Sequence, residues 1–132
     1  MIKIAFDLDG VFLPDCDTIP WLGGLEEFYT LTSYMCPVFV PSGDYSIITA
    51  RKPEFKHITE TWIKKYFPLA PLKLYHDVSD ETPGQYKARI LNESDIDIYV
   101  ESDSGIVEYL RKHTNKQICH FSEFAGDLTN YI

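Results

Sequence analysis

Two carboxylates near the start of the chain, Asp7 and Asp9, stand two residues apart just after a short apolar segment, and Gly10 follows them. Carboxylates this close repel each other, and Mg²⁺, which prefers hard oxygen ligands, would hold them together. One carboxylate could attack phosphorus to form an aspartyl-phosphate, while the other protonates the leaving group and then activates water. Gly10 would allow a sharp turn that exposes backbone N–H groups to a phosphate. The alternative is a solvated turn after a strand, with no catalytic role.

Side chains later in the chain could complete such a site. Thr49 ends an Ile-Ile-Thr segment, and its hydroxyl and the neighbouring amides, including that of Ala50, could bind a phosphoryl oxygen; otherwise the hydroxyl caps a helix or packs in the sheet. Lys87 could neutralise the aspartate and phosphate charges, although a single helix lysine is more often solvated. Arg51 could contact the substrate or pair with a surface acid.

Three polar residues, Glu101, Ser102 and Asp103, follow the last residues of an apolar segment. Acidic side chains at such a place indicate metal ligands, because carboxylate oxygens suit Mg²⁺. The alternative is that Ser102 or Asp103 caps the helix that follows.

Short apolar segments alternate with segments of helical periodicity along the chain. This alternation predicts an α/β fold with a five-stranded parallel sheet and helices on both faces. Ligands of such sheets bind at the carboxyl ends of the strands, so the polar residues at those ends are the candidates for a site. The predicted strands are 1–6, 45–50, 72–76, 97–101 and 116–121, the predicted helices are 24–34, 53–66, 85–92 and 104–113, the predicted loops are 8–24 and 77–84, and 37–41 is extended.

The composition is typical of one globular domain over residues 1–132, with 45% hydrophobic and 24% charged residues. A net charge of −8 argues against general nucleic-acid binding, which calls for a basic surface. A small anionic substrate is still possible, because a bound divalent cation can reverse the local electrostatic field. The apolar runs are too short to cross a bilayer, and an acid at position 7 argues against a signal peptide. Three cysteines without metal-ligand spacing favour a reducing cytoplasm.

Residues 4–11, Ile-Ala-Phe-Asp-Leu-Asp-Gly-Val, resemble the first motif of the haloacid dehalogenase superfamily, and the other pieces follow in that superfamily's order over nearly the whole chain. The resemblance implies a three-layer Rossmann-like fold, with Asp7 as the nucleophile and Asp9 as the acid/base, whose main-chain carbonyl also binds magnesium. Residues 47–51 resemble the second motif, which puts Thr49 on the phosphate-binding hydroxyl. Lys87 matches the third-motif lysine by its place on the helix before the fourth strand.

Narrower likenesses concern the segments around the second and fourth motifs. The run 49–51, followed by 59–62, resembles the phosphatase domain of polynucleotide kinase and the deoxyribonucleotidases. Together with 39–41 and 100–103, it is similar to dehalogenase-like domains that occur beside phosphoribosyltransferases in bacteria and phages. These likenesses suggest that the phosphomonoester is a nucleotide or a nucleic-acid end, but they do not identify the particular substrate.

The chain departs from the superfamily in two places. The fourth motif usually carries an acid where this chain has Ser102, so Glu101 or Asp103 would have to supply the metal ligand. We expect Asp103 slightly ahead of Glu101, because a loop carboxylate needs less distortion; Glu101 would then orient a metal-bound water or Lys87. The segment between Gly10 and the second strand is too short for a large cap domain. An open site favours a large substrate, or a partner protein or second copy that supplies the lid.

The sequence therefore predicts a cytoplasmic, Mg²⁺-dependent phosphatase that hydrolyses a small phosphorylated substrate through an aspartyl-phosphate. The alternative is a catalytically weak or inactive binding or regulatory domain of the same fold. Asp7 and Asp9 favour the enzyme, and Ser102 favours the alternative. A response-regulator receiver shares the phospho-aspartate chemistry, but receivers carry that aspartate on a mid-chain strand rather than at position 7.

Overall fold

The structure is a computed structural model that describes residues 1–15 and 24–125. Residues 16–23 of the predicted loop 8–24, including Cys16, lie outside the described residues, as does the end of the chain after 125. The strands are β1 (Ile4–Phe6), β2 (Ser46–Ile48), β3 (Leu74–Tyr75), β4 (Ile98–Glu101) and β5 (Gln117–His120). The helices are α1 (Leu25–Thr32), α2 (Lys56–Tyr66), α3 (Pro83–Glu93), α4 (Ser104–His113) and α5 (Phe121–Ala125), with a 3₁₀ turn at Pro53–Phe55.

The five strands form one parallel sheet in the order β3-β2-β1-β4-β5. β1 is central, and Phe6 pairs in register with Ile47 of β2 and Val100 of β4. These strands are apolar because both faces of the sheet are covered. The central position of β1 places the residues that follow it, Asp7 onward, between the ends of its two neighbours.

Alternation along the strands divides the core between the two faces of the sheet. Phe6, Ile47 and Val100 point to one face, where they pack with residues of α2 and α5. Ala5, Ile48, Tyr99 and Ile118 point to the other face, where they pack with α3 and α4. The molecule is thus a three-layer, Rossmann-like α/β fold, and the described residues contain no large cap, as the sequence predicted.

The start of α3 differs from the prediction, which began that helix at residue 85. Thr82 accepts a hydrogen bond from the backbone N–H of Gln85, and the Gln85 side chain accepts one from the N–H of Thr82, which forms a capping box. Pro83 occupies the first helical position, where its missing N–H costs nothing. Pro83 and Gly84 therefore begin the helix rather than end the loop.

Other boundaries shift by a few residues. All five strands are shorter than predicted, and Phe121 starts α5 instead of ending β5. The predicted second helix begins with the 3₁₀ turn before α2. Within residues 1–15 and 24–125, no helix has the length and apolar character needed to cross a membrane.

The first testable prediction concerns Phe6, which is 2% exposed and has ring contacts with Phe12, Phe39, Tyr45 and Phe124. Phe6→Ala should lower the free energy of unfolding by about 3–5 kcal/mol, because it leaves a cavity beside four rings. Val38→Ala, at a side chain 67% exposed, is the control, and it should change stability by less than about 0.5 kcal/mol. Urea unfolding measures both, and equal losses would contradict this account of the core.

Candidate active site

The carboxyl ends of the three middle strands bring the predicted site residues together. Asp7 follows β1, Thr49 follows β2 and Glu101 ends β4. The backbone N–H of Asp7 donates to the carbonyl of Val100 at 2.9 Å, which continues the pairing of β1 with β4 beyond the strand. Asp7 and Glu101 also lie on the same face of the sheet. Asp7 is two residues after Ala5 and Glu101 is two residues after Tyr99, and both Ala5 and Tyr99 face α3.

A buried cluster of two carboxylates and one ammonium group lies at this point. The Nζ of Lys87, on α3, is 2.6 Å from Oε1 of Glu101 and 3.2 Å from Oδ1 of Asp7. Lys87 and Glu101 are each 1% exposed and Asp7 is 7% exposed. The same Oδ1 of Asp7 accepts the N–H of Leu8 at 2.8 Å. Lys87 is therefore not the solvated helix lysine of the alternative interpretation, because it contacts the predicted nucleophile.

Glu101 is held by more than Lys87. The Tyr99 hydroxyl donates to Oε1 at 3.0 Å, and the N–H groups of Ser102 and Asp103 donate to Oε2 at 3.1 and 3.2 Å. Burial alone would raise the pKa of Glu101, but the charge of Lys87, the side-chain hydrogen bonds with Asp7 and Lys87, and the N–H of Asp103 outweigh it and lower the pKa. Glu101 is thus placed to orient Lys87, which was the second role that the sequence suggested for it.

The charges of this cluster do not balance. Burial, followed by the nearby charge of Glu101, raises the pKa of Asp7 well above its ordinary value, and Lys87 only partly opposes them. Burial would lower the pKa of Lys87, but the two carboxylates outweigh it and raise that pKa. With both carboxylates ionised, two negative charges share one positive charge, and a further cation next to Asp7 would be stabilised.

Asp9 forms a separate ion pair with Arg51. Nε of Arg51 donates to Oδ2 at 2.9 Å and Nη2 donates to Oδ1 at 2.7 Å, a bidentate arrangement. Nη1 donates to the hydroxyl of Thr59 on α2 at 3.0 Å, and the guanidinium carbon lies 4.0 Å from the centre of the Tyr29 ring on α1. Arg51 is 4% exposed. The acid that Arg51 pairs with is thus the predicted acid/base rather than an exposed acid elsewhere on the surface.

The turn after Asp9 is built around Gly10, whose φ of +88° is in the left-handed region that favours glycine. A Cβ at this position would lie 2.2 Å from the Ser102 hydroxyl oxygen, so the space requires glycine as well. That hydroxyl donates to the carbonyl of Asp9 at 3.4 Å. The N–H of Gly10 donates to the carbonyl of Leu13 at 2.6 Å, so a bond from this N–H to a substrate would require that contact to open.

Asp103, the favoured metal ligand of the sequence prediction, is exposed and caps α4. Its carboxylate accepts the N–H of Ile106 at 3.0 Å. This is the capping role that the sequence left open as the alternative. The role of Asp103 as a metal ligand stays a prediction, and it would require the cap to be given up or shared.

The remaining predicted residues line the β2 side of the site. Thr49 is 1% exposed, and its hydroxyl oxygen accepts the N–H of Arg51 at 3.1 Å, which leaves the hydroxyl proton for another acceptor. Ala50 lies between them and is half-buried. Beyond them, Lys52 Nζ lies 3.1 Å from Oδ2 of the buried Asp77, a pair that the sequence did not predict.

Sequence reasoning also assigned no role to Tyr29, Thr59 and Tyr99. Thr59 is a polar residue on the inward stripe of α2, and Tyr99 is two residues before Glu101 on one strand face, so their spacing carried a signal. The position of Tyr29 carried none, because its helical spacing is equally typical of a core residue. Its contact with Arg51 depends on how α1 packs.

Several residues after β1 and β4 offer oxygen donors suited to a metal, and the Asp15 carboxylate also lies close to this turn, 3.5 Å from the place of a Cβ on Gly10. The Asp7 carboxylate, the Asp9 carbonyl and the Ser102 hydroxyl are hard donors, and the last two are in contact. Among the described residues, no three His, Cys, Asp or Glu side chains are grouped so as to hold a metal ion. The set fits a cation such as Mg²⁺ that keeps several of its own waters. The surplus negative charge of the Asp7 cluster supports the same cation.

Comparison with known proteins adds nothing to this geometry. Neither a protein-family model, nor a curated protein, nor a solved structure matches the chain.

The second prediction uses the charge imbalance at Asp7. Its folded-state pKa lies above the ordinary value of 3.8, so the folded state holds this proton more tightly and stability falls as pH rises from about 4 through the raised pKa. Asparagine has no such proton. Asp7→Asn should therefore be more stable than wild type at pH 7–8, and the difference should shrink towards pH 4.

Urea unfolding at several pH values measures the stability of Asp7→Asn and wild type. Lys87→Met, which is expected to lower stability, is measured alongside them. That substitution leaves two buried carboxylates without their cation and should cost about 3–5 kcal/mol at neutral pH. If Asp7→Asn is less stable than wild type at neutral pH, the attraction of Lys87 outweighs the cost of burying the Asp7 charge, and this prediction is wrong.

Proposed function

We propose that the protein is a magnesium-dependent phosphatase that hydrolyses a phosphomonoester through an aspartyl-phosphate on Asp7. The observation that carries the proposal is the buried cluster of Asp7, Lys87 and Glu101 at the carboxyl edge of the sheet. Perturbed, buried carboxylates with a specific charge partner are typical of active sites. The resemblance of residues 4–11 to the first haloacid dehalogenase motif supports the same chemistry.

Each step is assigned to a group of this chain. The Asp7 carboxylate attacks phosphorus, and the bond from phosphorus to the leaving oxygen breaks as Asp9 transfers a proton to that oxygen. Asp9, now a carboxylate, takes a proton from the water that attacks the aspartyl-phosphate, which releases inorganic phosphate and restores Asp7. Lys87 orients Asp7 and offsets its charge, and the free hydroxyl proton of Thr49 is available to a phosphoryl oxygen.

Magnesium would be held by the Asp7 carboxylate and the Asp9 carbonyl, with Ser102 as the third oxygen. When bound, it supplies the positive charge that lets an anionic carboxylate approach an anionic phosphate. Sequence reasoning assigned the third oxygen to Asp103 or Glu101. We now favour Ser102, because Asp103 caps α4 and Glu101 is bonded to Lys87, Tyr99 and two backbone N–H groups.

The substrate is proposed to be a small phosphorylated molecule, with a nucleotide or a nucleic-acid end as the first candidates to assay. The short segment before β2 leaves the lid, where one is needed, to a partner protein or a second copy. We place the reaction in the cytoplasm, which suits the free thiols of Cys36 and Cys119.

A second candidate function is a catalytically inactive binding or regulatory domain. Two observations favour it: Arg51 occupies both carboxylate oxygens of Asp9, and Ser102 stands where an acid is usual. Activity measurements separate the two functions directly.

The third prediction is that wild type hydrolyses 4-nitrophenyl phosphate with Mg²⁺ and not after treatment with a chelator. Asp7→Asn should reduce the rate by roughly 10³-fold or more, because an amide cannot form the phosphoenzyme. Asp44→Asn, at an exposed acid before β2, is the control and should keep wild-type activity. Equal rates in wild type and Asp7→Asn would remove Asp7 as the nucleophile, and an inactive wild type would favour the regulatory function.

The fourth prediction concerns the metal ligands, measured by calorimetric titration with Mg²⁺. Ser102→Ala should weaken binding by roughly 10-fold. Asp103→Asn should leave it unchanged, since asparagine also caps a helix. If Asp103→Asn weakens binding and Ser102→Ala does not, the sequence assignment of Asp103 holds and ours is wrong.

A further inference from the structure

The Arg51 guanidinium group has a partner at each of its three nitrogens and an aromatic ring over one face. Two of its nitrogens bind the Asp9 carboxylate, the third donates to Thr59, and Tyr29 covers its face at 4.0 Å. Thr59 is itself fixed, since its hydroxyl donates to the carbonyl of Phe55 at 2.8 Å. With its side chain only 3% exposed, Arg51 lies behind Asp9, whose side chain is 15% exposed. Arg51 can thus act on a reaction only through Asp9.

Tyr29 is the contribution of α1 to this arrangement. Its ring also meets the ring of Phe55 at 4.8 Å, edge to face, so Tyr29 lies against the 3₁₀ turn that precedes α2. The segment after α1 is tied to α2 as well, because Nε1 of Trp62 donates to the carbonyl of Met35 at 2.8 Å. The contacts of Tyr29 with Phe55 and of Met35 with Trp62 thereby set the position of the Tyr29 ring over Arg51.

A general acid must have its carboxyl group aligned with the leaving oxygen. We propose that Tyr29 is a positioning residue for Asp9: its ring fixes the Arg51 guanidinium in the bidentate pair, so the geometry of the acid/base depends on α1 being packed in place. The inference rests on the proposed function for its catalytic consequence, while the contact itself can be measured without any activity.

The kinetic test compares phenyl phosphate with 4-nitrophenyl phosphate, whose leaving groups differ in basicity but not in ring size. Help from Asp9 matters more for the basic phenolate, so Tyr29→Leu should lower the rate on phenyl phosphate by roughly 2- to 30-fold, the range of a cation–π contact, and the rate on 4-nitrophenyl phosphate by less. Tyr29→Phe should recover most of the lost rate because the aromatic face remains. Tyr34→Leu, at a side chain 76% exposed just after α1, is the control. Equal losses on both substrates would overturn the inference.

The second readout is the exchange of the Arg51 Nε–H with solvent, followed by NMR. The chain has three arginines, the side chains of Arg89 and Arg111 are 38% and 49% exposed, and Arg51→Lys identifies the third signal. In wild type the Arg51 signal should exchange most slowly of the three, and Tyr29→Leu should accelerate it several-fold while Tyr34→Leu does not.

The two readouts separate this inference from the proposed function. Unchanged exchange in a folded Tyr29→Leu overturns the inference, whether or not the protein is a phosphatase. Faster exchange in Tyr29→Leu together with an inactive wild type would support the role of Tyr29 in fixing the Asp9–Arg51 pair. It would contradict the phosphatase function instead.

Discussion

One lysine shared by two buried carboxylates constrains this end of the molecule. Asp7 and Glu101 lie on neighbouring strands and on one face of the sheet, so their charges would repel each other without Lys87. Lys87 can reach both only if α3 starts close to the sheet edge, and the capping box of Thr82 and Gln85 fixes that start. Gly84 serves the same placement, because a Cβ there would lie 3.1 Å from the Tyr109 ring of α4. The start of α3, its approach to α4 and the ends of β1 and β4 are therefore set together.

The negative charges of Asp7 and Asp9 are offset by different cations on the two sides of the sheet. Asp7 faces Lys87 on the α3 side, while Asp9 pairs with Arg51, which contacts α1 and α2 through Tyr29 and Thr59. The protein thus supplies its own cation to each aspartate, and the fold does not need a metal to hold the two together. The charge that a metal could still neutralise is the surplus negative charge that Glu101 adds beside Asp7. A bound Mg²⁺ would consequently serve the proposed reaction more than the stability of the fold.

The sequence predicted the parallel five-stranded sheet because each strand and helix has a clear period, and it predicted the site because parallel strands bring their carboxyl ends together. It placed Thr49 and Glu101 at this edge for that reason, and it placed Lys87 near them by the resemblance to the third motif. It did not predict the Asp9–Arg51 pair, since Arg51 is positioned by Tyr29 of α1 and Thr59 of α2, and no local pattern specifies how those helices lie against it. It also began α3 two residues late, because Pro83 and Gly84 are as typical of a loop as of a first helical turn. The meeting of residues at the strand ends was predictable, and contacts that depend on how the helices pack were not.

Ser102 stands where the superfamily resemblance proposed from the sequence would place an acid. A third carboxylate at this position would lie beside Asp7 and Glu101, where one lysine already serves two negative charges. A serine avoids that repulsion, and its hydroxyl donates to the Asp9 carbonyl. A carbonyl oxygen has two lone pairs, so this bond leaves one for a cation. The close approach of Gly10 to Ser102 restricts both positions, because any side chain at position 10 would collide with the hydroxyl. The pair of small residues therefore preserves the turn, and under the proposed function a serine at this position would favour a weakly held, exchangeable Mg²⁺ over a permanent one.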